Sequence, residues 1–84
     1  MSPRTACVLL RVWLPDRPGA LGAVASRIGA VRGDIVGSDV PERNEGVAID
    51  EFGVVLADAD HVPLLVREVE EVDGCRVEHV TLLA

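Results

Sequence analysis

Apolar and polar positions alternate from Ala6 to Leu14, yet both faces carry bulk: Val8, Leu10, Val12 and Leu14 on one side, Cys7, Leu9, Arg11 and Trp13 on the other. A strand apolar on both sides belongs in the middle of a sheet, covered by its own helices on one face and by something else on the other. Helical spacing then takes over. Leu21, Val24, Ala25, Ile28 and Val31 make one stripe of a helix predicted from about Gly19 to Arg32, with Gly33 as its C′ residue. Gly22 and Gly29 weaken that helix by about 1 kcal/mol each relative to Ala, a cost that close packing on the sheet is expected to offset. Asp34–Val40 reads as a second strand with Ile35 inward, Pro41–Gly46 as a hairpin loop, and Val47–Leu56 as a third strand with Phe52, Val54 and Leu56 in the core. Asp60 is placed as N-cap of a second helix, with Pro63 in its first turn. Its stripe is Val62, Leu65, Val66, Val69 and Val72, and Gly74 stops it. Arg76–Leu83 is the fourth strand.

The order βαββαβ with right-handed crossovers predicts an α+β fold, a ferredoxin-like sandwich. Its four-stranded antiparallel sheet has strands one and three in the middle and two helices on one face. At 84 residues the chain is expected to form a single domain over 1–84, with residues 1–5 flexible. Hydrophobic residues make up 49% of it, more than one small core hides, so a covered interface is expected, with Leu9 and Trp13 as contact candidates. Fourteen acidic against eight basic residues leave a formal charge of −6, which argues against nucleic acid or an anionic membrane surface as partner. No stretch approaches the roughly 18 apolar residues of a membrane span, and the start does not read as a signal peptide, so a cytoplasmic location is expected. Cys7 and Cys75 lack CxxC spacing and read as packed thiols, while His61 and His79 stand apart; neither a metal site nor a cofactor is expected.

Candidate chemistry centres on the corner Asp16-Arg17-Pro18-Gly19-Ala20-Leu21, between the first strand and the first helix. Pro18 suits a helix entry, and Gly19 lets a ligand or another backbone come close. First-turn N–H groups lack internal partners and sit at the positive end of the helix, so they favour an anion such as a carboxylate. Asp16 either caps those amides or receives an ammonium; an amino acid would satisfy both signs. The bland alternative is that Asp16 only caps and Gly19 only turns. Asp50 and Glu51 are adjacent in a strand and so point to opposite faces, which rules out a shared acid–base role. The pair reads as a strand end projecting towards solvent or a partner.

Many functions share this topology, so the site must choose among them. An RNA-binding module needs sheet-face aromatics and basic residues, and one Phe, one Trp and no Tyr do not supply them. A metallochaperone needs cysteines in the first loop. An acylphosphatase-like enzyme needs an Arg cradle, which Arg17 could begin, and an amide to orient water; Asn44 is the only Asn. The run Leu10–Leu21 with its D-R-P-G-A-L, followed by Ile28 and Gly33-Asp34-Ile35, resembles an ACT domain over nearly the whole chain. That family comprises small-molecule-sensing modules found on amino-acid biosynthetic enzymes such as phosphoglycerate dehydrogenase. The stretch Val47–Glu51 is also similar to ACT modules of actinobacterial proteins.

The resemblance implies a homodimer or higher homo-oligomer holding an amino acid or related metabolite at the subunit interface, fused to or associated with a metabolic enzyme. It implies ligand contacts at Asp16 and Asp34, with the N–H groups of Arg17, Gly19, Ala20 and Leu21 around the ligand carboxylate and Pro18 shaping the corner. Serine-sensing relatives carry amides at the two acidic positions. A non-catalytic regulatory module is therefore expected, with a ligand-free dimerisation module as the alternative and an acylphosphatase-like enzyme behind it.

Overall fold

A computed structural model describes residues 4–83. Its elements are β1 (Ala6–Pro15), α1 (Ala20–Ala30), β2 (Asp34–Asn44), β3 (Val47–Leu56), a 3₁₀ turn (Ala59–His61), α2 (Val62–Glu70) and β4 (Arg76–Leu82). The strands form one antiparallel sheet ordered β2-β3-β1-β4, so the predicted ferredoxin-like βαββαβ sandwich is the observed fold. The doubly apolar first strand does lie in the middle, beside β3. Val8, Leu10, Val12 and Leu14 of β1 and Phe52, Val54 and Leu56 of β3 pack against Val24 and Ile28 of α1 and Leu65 and Val69 of α2. All are essentially inaccessible to water, the main source of folding energy in a chain this short.

Several local expectations change. Leu21 leaves the helical stripe: it is 49% exposed, and Ala20 takes its place in the core. The end of α1 is a Schellman arrangement in which Arg32 N–H reaches Gly29 O at 3.0 Å and Gly33 N–H reaches Ile28 O at 2.9 Å. Arg32, not Gly33, is the left-handed C′ residue, with φ 61°. Gly33 is needed for a different reason: a Cβ there would stand 2.7 Å from Ile28 Cγ2 and 3.0 Å from Val54 Cγ1. Gly22 and Gly29, expected to pack closely, meet nothing within 4 Å of an added Cβ.

β2 runs on through Pro41 to Asn44, which reduces the hairpin loop to Glu45 and Gly46. Pro41 is tolerated because β2 is an edge strand and the register with β3 shifts between Asp39 and Glu42. Asp58 rather than Asp60 caps the second helical segment, its carboxylate accepting from Asp60 N–H at 2.9 Å. Asp60 instead pairs with Arg4, as does Asp58. α2 ends at Glu70, and Gly74 serves the turn beyond it with φ 80°. Of the start expected to be flexible, residues 1–3 lie outside the described residues; at Arg4 the carbonyl accepts from Ala59 N–H at 2.8 Å. Cys75 is buried, which pushes its thiol up, and Cys7 is half-buried on the helix-free face. No helix among the described residues is long and apolar enough to cross a membrane.

Candidate functional site

The corner sits where β1 ends and β3 begins. Pro15 lies opposite Val47, and Asp16 N–H donates to Gly46 O at 2.9 Å, tying the corner to the hairpin. The chain then makes a type II turn with Pro18 first and Gly19 second, closed by Ala20 N–H to Arg17 O at 3.3 Å. Gly19 supplies the positive φ of 85° that this turn demands, and its carbonyl accepts from Ala23 N–H to open α1. Two expectations are corrected. Pro18 precedes the N-cap instead of occupying the first helical position, and the N-cap is Gly19 without a side-chain hydrogen bond, so Asp16 does not cap.

The corner consumes two of the four amides expected to meet a ligand. Arg17 N–H donates to Pro15 O at 2.9 Å, and Ala20 N–H is used in the turn. Among the described residues, the N–H groups of Gly19, Leu21 and Gly22 have no protein partner. They lie at the positive end of α1.

Beside these amides is a cleft of about 100 Å³ walled by Asp16, Arg17 and Leu21, by Val40 and Arg43 of β2 and by Asp50 of β3. Arg43 Nη2 stands 3.5 Å from Asp16 Oδ1. Arg17 Nη2 turns away to donate to the Asp73 carbonyl at 2.9 Å. Asp50 does not project to solvent or a partner, as expected of it; it is 4% exposed and faces the helices with Phe52, Val54 and Leu56. Burial pushes its carboxyl pKa up, Arg43 pulls it back and Asp39 adds to the rise. Asp50 and Arg43 are the residues sequence reasoning missed. The signal was available for Asp50, which shares its alternation parity with the three core residues that follow.

Asp34 is not part of this cleft. It pairs with Val55 at the far end of the sheet, and Val47, which neighbours the corner, is eight residues away along β3. At about 3.3 Å per residue that separation is roughly 26 Å. Within one protomer Asp16 and Asp34 cannot share a ligand.

Leu9 and Trp13 lie half-buried on the helix-free face. Between them Arg11 bridges Glu42 at 3.0 Å, Glu51 at 3.3 Å and Glu78 at 3.5 Å. Trp13 Nε1 donates to Glu78, and the Arg76 guanidinium stands 5.4 Å over its ring. A shallow groove of about 360 Å³ runs beside them, floored by Pro15 and Val47 and rimmed by Gly46 and Gly74. It is apolar apart from Arg76, whose charge already rests on the indole.

No protein-family model matches the chain, and no curated protein matches it. Solved structures do. A protein described as unknown, from Galdieria sulphuraria, superposes with a TM-score of 0.79 at 16% identity; the match covers 95% of this chain but only 46% of that one, so this chain spans about half its length. An uncharacterized protein from Thermotoga maritima gives a TM-score of 0.70 at 23% identity, over 95% of this chain and 99% of that one. The ACT domain from GTP pyrophosphokinase of Chlorobium tepidum, in its solution structure, gives 0.68 at 16% identity, covering 96% and 89% of the two chains. Similarity at these identities speaks for the fold alone, and the fold is the one that the ACT domain of the Chlorobium enzyme adopts.

Proposed function

We propose that the chain is a non-catalytic regulatory module that dimerises and binds an amino acid or similar small metabolite at the corner. The observation that carries this reading is the set of unpartnered amides at the start of α1, with Leu21 lining the same small cleft as the carboxylates of Asp16 and Asp50. A zwitterion has one charge for each: its carboxylate for the amides, its ammonium for an acid. The ACT domain of the Chlorobium enzyme is part of GTP pyrophosphokinase, and control of a fused or associated metabolic enzyme is the corresponding role here.

Asp34 enters such a site only from a second copy. β2 is an edge strand with exposed Val36 and Val40. Antiparallel pairing of two β2 edges about a two-fold axis would lay the Asp34 end of one copy beside the Val40–Asn44 end of the other, which borders the cleft. A dimer would also cover part of the excess apolar surface.

The test is a thermal-shift screen of the twenty amino acids with size-exclusion chromatography alongside. Ligand at about 100 times its Kd stabilises by about 2.7 kcal/mol, an easily read rise in midpoint. Neutralising the acid that meets the ammonium should lose the response while the dimer persists. A dimer that responds to none of the twenty at millimolar levels refutes the sensing role and supports the second reading, a ligand-free dimerisation module. That reading draws on the half-exposed Leu9 and Trp13 of the helix-free face.

A further inference from the structure

We infer that Asp50, rather than Asp16, receives the ammonium of the bound ligand, and that the cleft encloses small α-amino acids of the size of glycine, alanine or serine. This rests on the reading that the corner binds an amino acid, and deepens it.

Asp50 is the one buried charged side chain among the described residues, and it makes no hydrogen bond and no ion pair there. Its oxygens are not sealed off, and a largely buried carboxylate with no hydrogen bond gains from a cation brought to it. Neither guanidinium at the cleft forms an ion pair with it, although the Arg43 charge favours its ionised form. Arg43 reaches towards Asp16, and Arg17 spends a donor on the Asp73 carbonyl. The other charge acting on Asp50 is Asp39, a second acid. Asp16, by contrast, already has a guanidinium 3.5 Å away and a side chain 38% exposed to water, so it has less to gain from an ammonium.

The amides supply the complementary end. Leu21 lines the same cleft, and its N–H, like that of the next residue Gly22, is unpartnered at the start of α1. A volume of about 100 Å³ corresponds to about three waters at ~30 Å³ each, the bulk of a two- or three-carbon amino acid. Water of that amount would be released when the ammonium meets Asp50 and the carboxylate meets the amides.

The experiment follows thermal midpoints of the wild type and Asp50→Asn with glycine, alanine, serine, phenylalanine and N-acetylglycine. Asn keeps the shape of the side chain and removes its charge. Glycine, alanine or serine should raise the wild-type midpoint, N-acetylglycine should not, and Asp50→Asn should need at least about tenfold more ligand for the same rise. If the variant responds within twofold of the wild type, the ammonium goes elsewhere and this inference is overturned while the sensing role stands. If N-acetylglycine stabilises the wild type as well as glycine does, the inference is overturned without recourse to any variant. A response confined to phenylalanine overturns the size assignment. Silence of the wild type towards all twenty amino acids overturns the sensing role itself, and this inference with it.

Discussion

Arg32 and Gly33 are adjacent, and the structure predicts opposite signs for the two substitutions that exchange their character. Gly33→Ala places a methyl 2.7 Å from Ile28 Cγ2 and 3.0 Å from both Ile28 O and Val54 Cγ1. Ile28 and Val54 are fully buried, so neither can step aside without disturbing the layer between α1 and the sheet. Overpacking of this kind costs about 1–3 kcal/mol. Each kcal/mol moves the midpoint of a domain this small by about 4–8 °C, so a fall of roughly 5–20 °C is expected. Arg32 is exposed, its side chain makes no hydrogen bond or ion pair among the described residues, and it holds φ 61°. Arg32→Gly therefore removes left-handed strain of about 1–2 kcal/mol and returns part of it as unfolded-state freedom, for a net gain of about 0.5–1 kcal/mol. Calorimetric midpoints and urea curves with unchanged slopes would measure both. If Gly33→Ala is neutral while Arg32→Gly destabilises, the left-handed residue has been misplaced and the account of this helix end is wrong.

Three further outcomes follow from the packing. Asp50→Asn should flatten the pH dependence of stability: the folded carboxyl titrates above its ordinary value of about 3.9, so in that window the folded chain binds more protons than the unfolded one and wild-type stability falls as pH rises. Urea midpoints from about pH 4 to 7 would show a wild-type decline that the variant lacks. Leu65→Ala empties a fully buried core position on α2 and should cost about 2–5 kcal/mol by the same measurement. Gly29→Ala meets open space and should stabilise by about 0.5–1 kcal/mol; a loss of dimer on size-exclusion chromatography would instead show that a second copy lies against that face of α1.

The fold could be read from the sequence because period and polarity agreed along most of the chain. Val8, Leu10, Val12 and Leu14 were fixed by alternation alone, and the bulk on the opposite face placed β1 centrally. What the pattern missed were ends, where short-range chemistry has several solutions. Asp58 and Asp60 are both acceptable caps, and only the tertiary pairing of both with Arg4 separates their roles. Pro41-Glu42-Arg43-Asn44 is turn-like in composition, yet an edge strand needs few of its N–H groups and absorbs a proline through a register shift. A glycine just past a helix suggests the left-handed residue by default, but an exposed arginine can pay a small strain when its neighbour must have no Cβ at all.

The site was half visible for a related reason. D-R-P-G announces a turn and a helix start, and the turn is there, but the type II turn takes the Ala20 amide and the bend before it takes that of Arg17, two of the expected four. Asp34 was grouped with Asp16 on the strength of a resemblance, whereas the βαβ crossover sends α1 back along the sheet and starts β2, parallel to β1, at the other end. Asp50 is the instructive case. Alternation through Asp50, Phe52, Val54 and Leu56 put its side chain on the core face, and its charge argued for moving it out; the parity decided, because a one-residue slip would have turned Phe52, Val54 and Leu56 to the helix-free face as well. Burying three large apolar side chains outweighs the cost of one carboxylate at the rim of the layer, where a cleft keeps it within reach of a ligand. The backbone register thus fixes where the acid stands, on the wall of the cleft that Arg43 and Leu21 also line.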